Sequence, residues 1–249
     1  MSFHLSPDDY WSLYAKYITD GTPPENMLNW ADFKTGDRVL DLGAGALLRI
    51  SKLAFLKGAG YVVAIDPTYS SWIVDIRVDP DLSVIESFPA LKSLYNAMYV
   101  DEHTHHIYLD DHTIQFSLRT YSDPLFVDGM QFDVAVCQQA VNYWFDKETI
   151  EHLAMLIVPG KKFVFNTFNT LPPTTPNYKT YNINGKVYGE AFYLVRDMVH
   201  HWQGREGLPP HVTSFRWIPR SEFTNILDPY FRVTLITEKN SDLYVCVKK

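Results

Sequence analysis

From Arg38 to Asp66 the hydrophobic pattern changes period twice. Val39 and Leu40 open a short apolar run, Gly43 and Gly45 interrupt it, and an amphipathic stretch follows. Gly58 and Gly60 break that stretch, and Tyr61 to Ile65 are apolar up to the acid Asp66. Short apolar runs bounded by glycine predict buried strands, and the stretch between them predicts a helix, so the segment is a βαβ unit. Further along, residues 113–118 alternate as a third strand, 132–136 form a fourth, 147–158 an amphipathic helix, and 161–168 a fifth strand after Pro159-Gly160. Residues 221–227 then predict a helix, and 231–237 with 243–247 a closing antiparallel pair turned at 239–242.

The remaining stretches carry less regular signals. Residues 7–20 predict a helix, with Ser6 as N-cap, Pro7 at its first position, and an aromatic face of Tyr10, Trp11, Tyr14 and Tyr17. That face reads equally as core packing and as a lid over a cleft. Residues 23–33 form a second short helix, and apolar positions from 84 to 98 give a helical face over 82–99 in spite of Pro89. Pro172-Pro173 interrupts the doubly wound pattern. Beyond it, 178–183 and 186–192 flank Asn184-Gly185 as a β-hairpin, 193–202 is a further strand or a short helix, 204–210 is a loop, and 211–217 alternates as another strand.

The glycine turn at 41–45 is where a ligand is expected. Glycines let the main chain turn tightly and let a ligand approach without meeting a Cβ. A helix start presents N–H groups beside the positive end of its dipole. Asp66 ends the second strand about twenty residues beyond the turn, where a carboxylate can accept both hydroxyls of a ribose. A dinucleotide fingerprint needs a third glycine, but Leu48 stands there. Asp41-x-Gly43-x-Gly45 instead resembles motif I of class I S-adenosylmethionine-dependent methyltransferases, with Leu47 in place of that motif's last glycine. The resemblance continues through Asp123-Pro124-Leu125-Phe126, Asp128-Gly129 and Phe132 to Val136, and through the helix, Pro159-Gly160 and strand that follow.

The resemblance implies a Rossmann-like seven-stranded α/β sheet with helices on both faces, an N-terminal helical lid and a β-hairpin insertion after the fifth strand. It divides a single methyltransferase domain into the lid (1–36), a cofactor core (37–168), a substrate-binding insertion (169–219) and a closing helix and strand pair (220–249). It implies S-adenosylmethionine as cofactor, held by Asp41, Gly43, Ala44, Gly45, Asp66, Pro67 and Gln138. Tyr121, Ser122 or Asp123 meets the adenine.

Charge and composition narrow the acceptor. With 22 basic and 29 acidic residues the net charge is −7, and there is no basic run to hold a phosphate backbone. The D/N-P-P-Y/F and Pro-Cys signatures of nucleobase methylation are absent at Cys137-Gln138-Gln139-Ala140. A nucleic-acid substrate is therefore not expected. Nor is a membrane partner, because there is no signal-like N-terminus and no apolar run long enough to span. Cys137 and Cys246 stand far apart in apolar runs and read as buried thiols of a cytoplasmic protein. His103, His105, His106 and His112, near Asp101, Glu102, Asp110 and Asp111, lack the spacing of a metal site; they read as a solvated loop with a hairpin, and no metal is expected.

The expected reaction is methyl transfer to an O or N atom of a small, partly apolar or aromatic metabolite. Tyr14, Tyr17, Tyr143, Trp144, Tyr188 and Phe192 are the expected substrate contacts, the last two from an insertion that also supplies Tyr181, Glu190 and His211. A packing cluster is an equal reading of Asn142 to Trp144, and a homodimer surface is the rival reading of the hairpin. If the acceptor is protonated a base is needed, and His200 or His201 is the candidate because imidazole titrates near neutrality. A nicotinamide oxidoreductase and a catalytically silent member of the fold that binds the cofactor or a partner are the other readings.

Overall fold

The computed structural model describes residues 24–44, 49–65, 98–100, 106–109, 115–119, 130–183, 185–207, 210–238 and 241–249. Tyr14 and Tyr17 with their helix, the helical stretch up to residue 97, Gly45, Asp66, Pro67, Tyr121, Ser122 and Asp123 lie outside these residues. In chain order the elements begin with α1 (Pro24–Trp30), β1 (Arg38–Leu42), α2 (Arg49–Leu56), β2 (Tyr61–Ile65), β3 (Met98–Val100), β4 (His106–Leu109), β5 (Gln115–Arg119) and β6 (Phe132–Gln138). A 3-10 turn (Val141–Tyr143), α3 (Lys147–Leu156), β7 (Ile157–Phe168), β8 (Lys179–Ile183), β9 (Lys186–Val195) and β10 (Met198–Arg205) follow. The chain closes with β11 (His211–Arg216), α4 (Arg220–Leu227), β12 (Phe231–Thr237) and β13 (Ser241–Lys248).

The main sheet runs β12-β13-β7-β6-β1-β2-β5-β4-β3. Strand β1 is parallel to β2 on one side and to β6 on the other; β2 is parallel to β5, and β6 to β7. This is the doubly wound order that the hydrophobic pattern predicts. The sheet has nine strands and not the expected seven, because β3 and β4 add to the β5 edge in antiparallel fashion. Met98 to Val100, expected as the end of a helix, is a strand. The acid- and histidine-rich stretch 101–112, expected as a solvated loop with a hairpin, contains β4, which pairs with β3 before it, both strands too short to show a period of their own. Strand β7 also starts at Ile157 rather than Lys161, with Gly160 at φ 81° and an irregular register against β6 between Phe132 and Val134.

Two apolar layers sandwich the sheet. On one face Leu40, Val63, Ala135 and Phe163 pack with α3 and α4 through Leu153, Phe223 and Leu227. On the other, Val39, Val62, Val134 and Val164 pack with α1 and α2 through Met27, Leu28, Ile50 and Ala54. Adjacent strand residues thus serve opposite layers, as the period of two requires. Phe165 and Tyr244 stack at 4.6 Å between β7 and β13, and Phe223 closes on both. Cys137 and Cys246 are buried and not joined in a disulfide, and burial pushes the Cys246 thiol up. Among the described residues no helix is long and apolar enough to cross a membrane.

A second sheet, β11-β10-β9-β8, is wholly antiparallel. The expected hairpin is therefore part of a four-stranded sheet, and 193–202 resolves into the end of β9, a turn and most of β10. Arg196 at φ 59° and Gly185 at φ 78° make the two tight turns possible. On the outer face a Cβ at either Gly189 or Gly204 would lie 2.8 Å from the Trp202 ring, so the two glycines form the seat of that indole. Tyr178 meets it edge-on at 5.0 Å.

Two outcomes follow from this packing. A Cβ at Gly60 would sit 2.6 Å from the Gly36 carbonyl oxygen, a backbone atom that cannot move aside. Gly60→Ala is expected to cost about 1–3 kcal/mol in urea unfolding. The buried Tyr244 hydroxyl has no partner among the described residues, and burial pushes its pKa up to about 12. The native phenol keeps its proton where the unfolded one loses it, so its contribution is present below about pH 10 and is lost as pH rises through about 12. Tyr244→Phe is expected to leave stability at pH 7 unchanged or raise it by up to about 1 kcal/mol, and to remove that alkaline loss; urea melts at pH 7 and across the alkaline range check both.

Candidate functional site

The carboxyl ends of β1, β2, β5 and β6 lie at one edge of the main sheet, on either side of the point where the strand order reverses. That crevice is where open α/β sheets bind ligands. At the end of β1 Gly43 takes φ 68°, a conformation that a residue with a Cβ adopts only at a cost. The N–H groups of Gly43 and Ala44 both donate to the Ile65 carbonyl, at 2.7 and 3.2 Å. These two bonds tie the turn to the end of β2, one residue before Asp66. Asp41 is buried, and its Oδ2 accepts from the Ser51 N–H at 3.0 Å and the Ser51 hydroxyl at 2.6 Å. That oxygen anchors α2 to the turn, so Asp41 shapes the site from beneath.

Gln138 ends β6, half-buried, in the same crevice. The next residue, Gln139, holds φ 60° and donates its N–H to Asn166 Oδ1 at 2.8 Å. Left-handed backbone at a residue other than glycine is strained, and such strain gathers at functional sites. Asn166 is buried, and its Nδ2 has no partner among the described residues. Sequence reasoning missed it, although a single amide inside the apolar run Phe163 to Phe168 is a legible anomaly. These features fit a nucleoside sulfonium: a glycine turn open to close approach, and an amide donor kept dry at the strand ends.

The 3-10 turn after β6 leads to the second sheet. Asn142 is buried and accepts from the Thr167 hydroxyl at 2.6 Å. Tyr143 packs its ring on Phe215 at 4.8 Å, and its hydroxyl lies 3.4 Å from Thr213 Oγ1. The residue is 47% exposed. Burial pushes this phenol above its usual range, the Thr213 hydrogen bond opposes that, and the Glu190 carboxylate adds to it. Trp144 packs toward Phe163 at 6.3 Å, inside the core layer, which is the packing reading of that residue.

The second sheet separates the two candidate bases. His200 and His201 are neighbours on β10, so their side chains leave opposite faces. His200 points outward, with Nδ1 2.9 Å from Ser214 Oγ and its ring over Tyr193. His201 points inward, is 8% exposed, and stacks on Phe192 at 4.0 Å. Its Nε2 lies 2.8 Å from Glu190 Oε1, and Glu190 is itself buried. Tyr181 reaches Glu190 Oε2 over a long 3.5 Å. Phe168, at the end of β7, meets Phe192 at 5.2 Å and Phe215 at 6.0 Å, which joins this inner face to the crevice edge. Tyr188 is fully buried on the same face and serves as its floor. Of the two candidate bases, only His201 is on the inner face. Gln203, buried two residues further along, was missed; the strand alternation that carries His201 inward was the signal for it.

No protein-family model matches the sequence, and no curated protein matches it. Solved structures do resemble it. An S-adenosylmethionine-dependent methyltransferase from Clostridium acetobutylicum ATCC 824 aligns with a TM-score of 0.61 at 13% identity, over 97% of this chain and 98% of its own. An S-adenosylmethionine-dependent methyltransferase from Mesorhizobium loti aligns with a TM-score of 0.55 at 17% identity, over 92% and 99%. At such identities the likeness is one of architecture, and the chain has the fold of S-adenosylmethionine-dependent methyltransferases.

Proposed function

We propose that this chain is an S-adenosylmethionine-dependent methyltransferase that acts on an O or N atom of a small, partly apolar or aromatic metabolite. The observation that carries this reading is the glycine turn: Gly43 at φ 68° hooks onto the last residue of β2, directly before an acid, at the reversal point of a doubly wound sheet. Gly43, Gly45, Asp66 and Gln138 would hold the cofactor, with Asp66 on the ribose and Asp41 bracing the turn through Ser51. When bound, the cofactor supplies a methyl group activated by a positive sulfur.

The protein's own task is then to orient an acceptor, exclude water and take away a proton where the acceptor carries one. Holding two reactants in line lowers the barrier by several kcal/mol without any charged participant. Tyr143, Phe168, Phe192 and Phe215 give a ring-lined wall that suits an aromatic or partly apolar acceptor. His201, held on that wall, is the group in place to take a proton. His200 is on the opposite face of the sheet and has no part in the chemistry.

Calorimetric titration with S-adenosylmethionine, S-adenosylhomocysteine and NAD tests the reading. Micromolar binding of the two sulfur nucleosides and none of NAD is expected. Asp66→Ala should weaken that binding about tenfold or more, the loss of charged hydrogen bonds to a ribose. Binding of NAD alone would make this a nicotinamide protein, and binding of neither would remove the methyltransferase reading.

A further inference from the structure

The inner face of the second sheet carries a polar row that packing alone does not call for. Register places Glu190 directly opposite Gln203, while His201 stands opposite Phe192 on one side and Thr213 on the other. Residues opposite one another in an antiparallel pair share a face, as do residues two apart on one strand. Glu190, His201 and Gln203 therefore project together, from an inner surface that also carries Tyr181, Tyr188, Phe192, Val199, Thr213 and Phe215. All three are nearly inaccessible, at 5%, 8% and 3%.

Their hydrogen bonding is incomplete in a specific way. A carboxylate accepts only, so the 2.8 Å contact places a proton on His201 Nε2 and leaves Nδ1 with its lone pair. Among the described residues Nδ1 has no partner. Gln203 Nε2, a donor, has none either. The two residues are two apart on one strand, so their Cα atoms are about 6–7 Å apart. Leaving a buried amide donor unpaired costs about 1–3 kcal/mol. Tyr143 lies within electrostatic reach of Glu190 and brings the row to the crevice edge.

We propose that this row is the acceptor site, built for a small aromatic compound with a hydroxyl group and a second oxygen beside it. Glu190 is a positioning residue that holds His201 with its proton on Nε2. His201 Nδ1 takes the hydroxyl proton of the acceptor: the O–H bond breaks, an N–H bond forms at Nδ1, and the resulting imidazolium is balanced by Glu190. Gln203 Nε2 donates to the second oxygen. The proposal rests on the methyltransferase reading for what happens next at the acceptor oxygen, while the recognition itself belongs to these three residues.

The test uses 15N-histidine NMR on the full chain at pH 8, with guaiacol as the probe because it has one hydroxyl and one neighbouring ether oxygen. Phenol lacks the second oxygen, and veratrole lacks the proton. His201 is expected as the Nε2-protonated tautomer, and guaiacol should shift its Nδ1 resonance and bind about tenfold more tightly than veratrole. Gln203→Leu should reduce guaiacol affinity to that of phenol and leave phenol unchanged. Glu190→Gln, whose amide both donates and accepts, should give a mixture of tautomers and weaken guaiacol. A native imidazole protonated on Nδ1, or guaiacol and veratrole behaving alike, would overturn the proposal; so would guaiacol binding that ignores Gln203→Leu in a variant with a native circular dichroism spectrum. A purely structural trio shows the tautomer but no dependence on the hydroxyl of the probe. If guaiacol behaves as expected while S-adenosylhomocysteine fails to bind, the acceptor site stands and the methyltransferase reading falls.

Discussion

Because β1 is paired in parallel with β2 on one side and β6 on the other, the connections from their carboxyl ends leave in opposite directions and a crevice opens above β1. Every functional feature of the molecule depends on that divergence. The Gly43 turn must bend toward β2, and it is held there by two N–H bonds to Ile65. The chain leaving β6 must bend the other way, which it does through strained Gln139 and the 3-10 turn that carries Tyr143. The second sheet is inserted after β7, next to that turn, so its inner face meets the crevice and its outer face does not. A polar row on any other surface would be only a solvated face.

Much of this architecture was legible in the pattern of apolar positions. Val39-Leu40, Tyr61 to Ile65, Val134 to Cys137 and Leu243 to Val247 are apolar without interruption because these strands are covered on both faces, and that pattern needs no knowledge of neighbours. The glycine turn was legible for a similar reason: it is a local backbone demand. What was not legible was the sheet edge and the course of 193–202, while the hairpin on Asn184-Gly185 and the strand after residue 210 were. Strands β3 and β4 are three and four residues long, and in such short runs no period can be counted. Their existence depends on the β5 edge that they cover, which is tertiary information.

The candidate site was half legible for a subtler reason. A histidine pair invites a catalytic reading, but adjacent strand residues never share a face, so the dipeptide His200-His201 holds one inward group and one outward group. The partner that matters, Glu190, is eleven residues away in sequence and one strand away in space. It was recoverable in principle. A tight turn at Arg196-Asp197 sets Val195 against Met198, and counting back from there pairs Phe192 with His201 and Glu190 with Gln203. That count requires knowing that 193–202 is strand rather than helix, and its composition does not decide the matter. Trp202 decides it, since its indole needs the two flat glycine seats that only paired strands provide.

The energetics of the inner face also indicate how the molecule divides its labour. In the core layers the side chains are mostly apolar; Asp41 there is bound to Ser51, while the Tyr244 hydroxyl has no partner among the described residues. On the inner face, a carboxylate, an imidazole and an amide are buried together with one donor and one acceptor left over. A buried polar cluster of this kind costs desolvation that its hydrogen bonds only partly return, and an apolar replacement of equal volume is often as stable. A fold selected for stability alone would fill these positions with more of the phenylalanine and valine that surround them. Their unmatched polarity makes sense as half of an interaction whose other half arrives with a ligand, because the same enclosure that makes an unpaired group costly strengthens each hydrogen bond that a fitting ligand supplies.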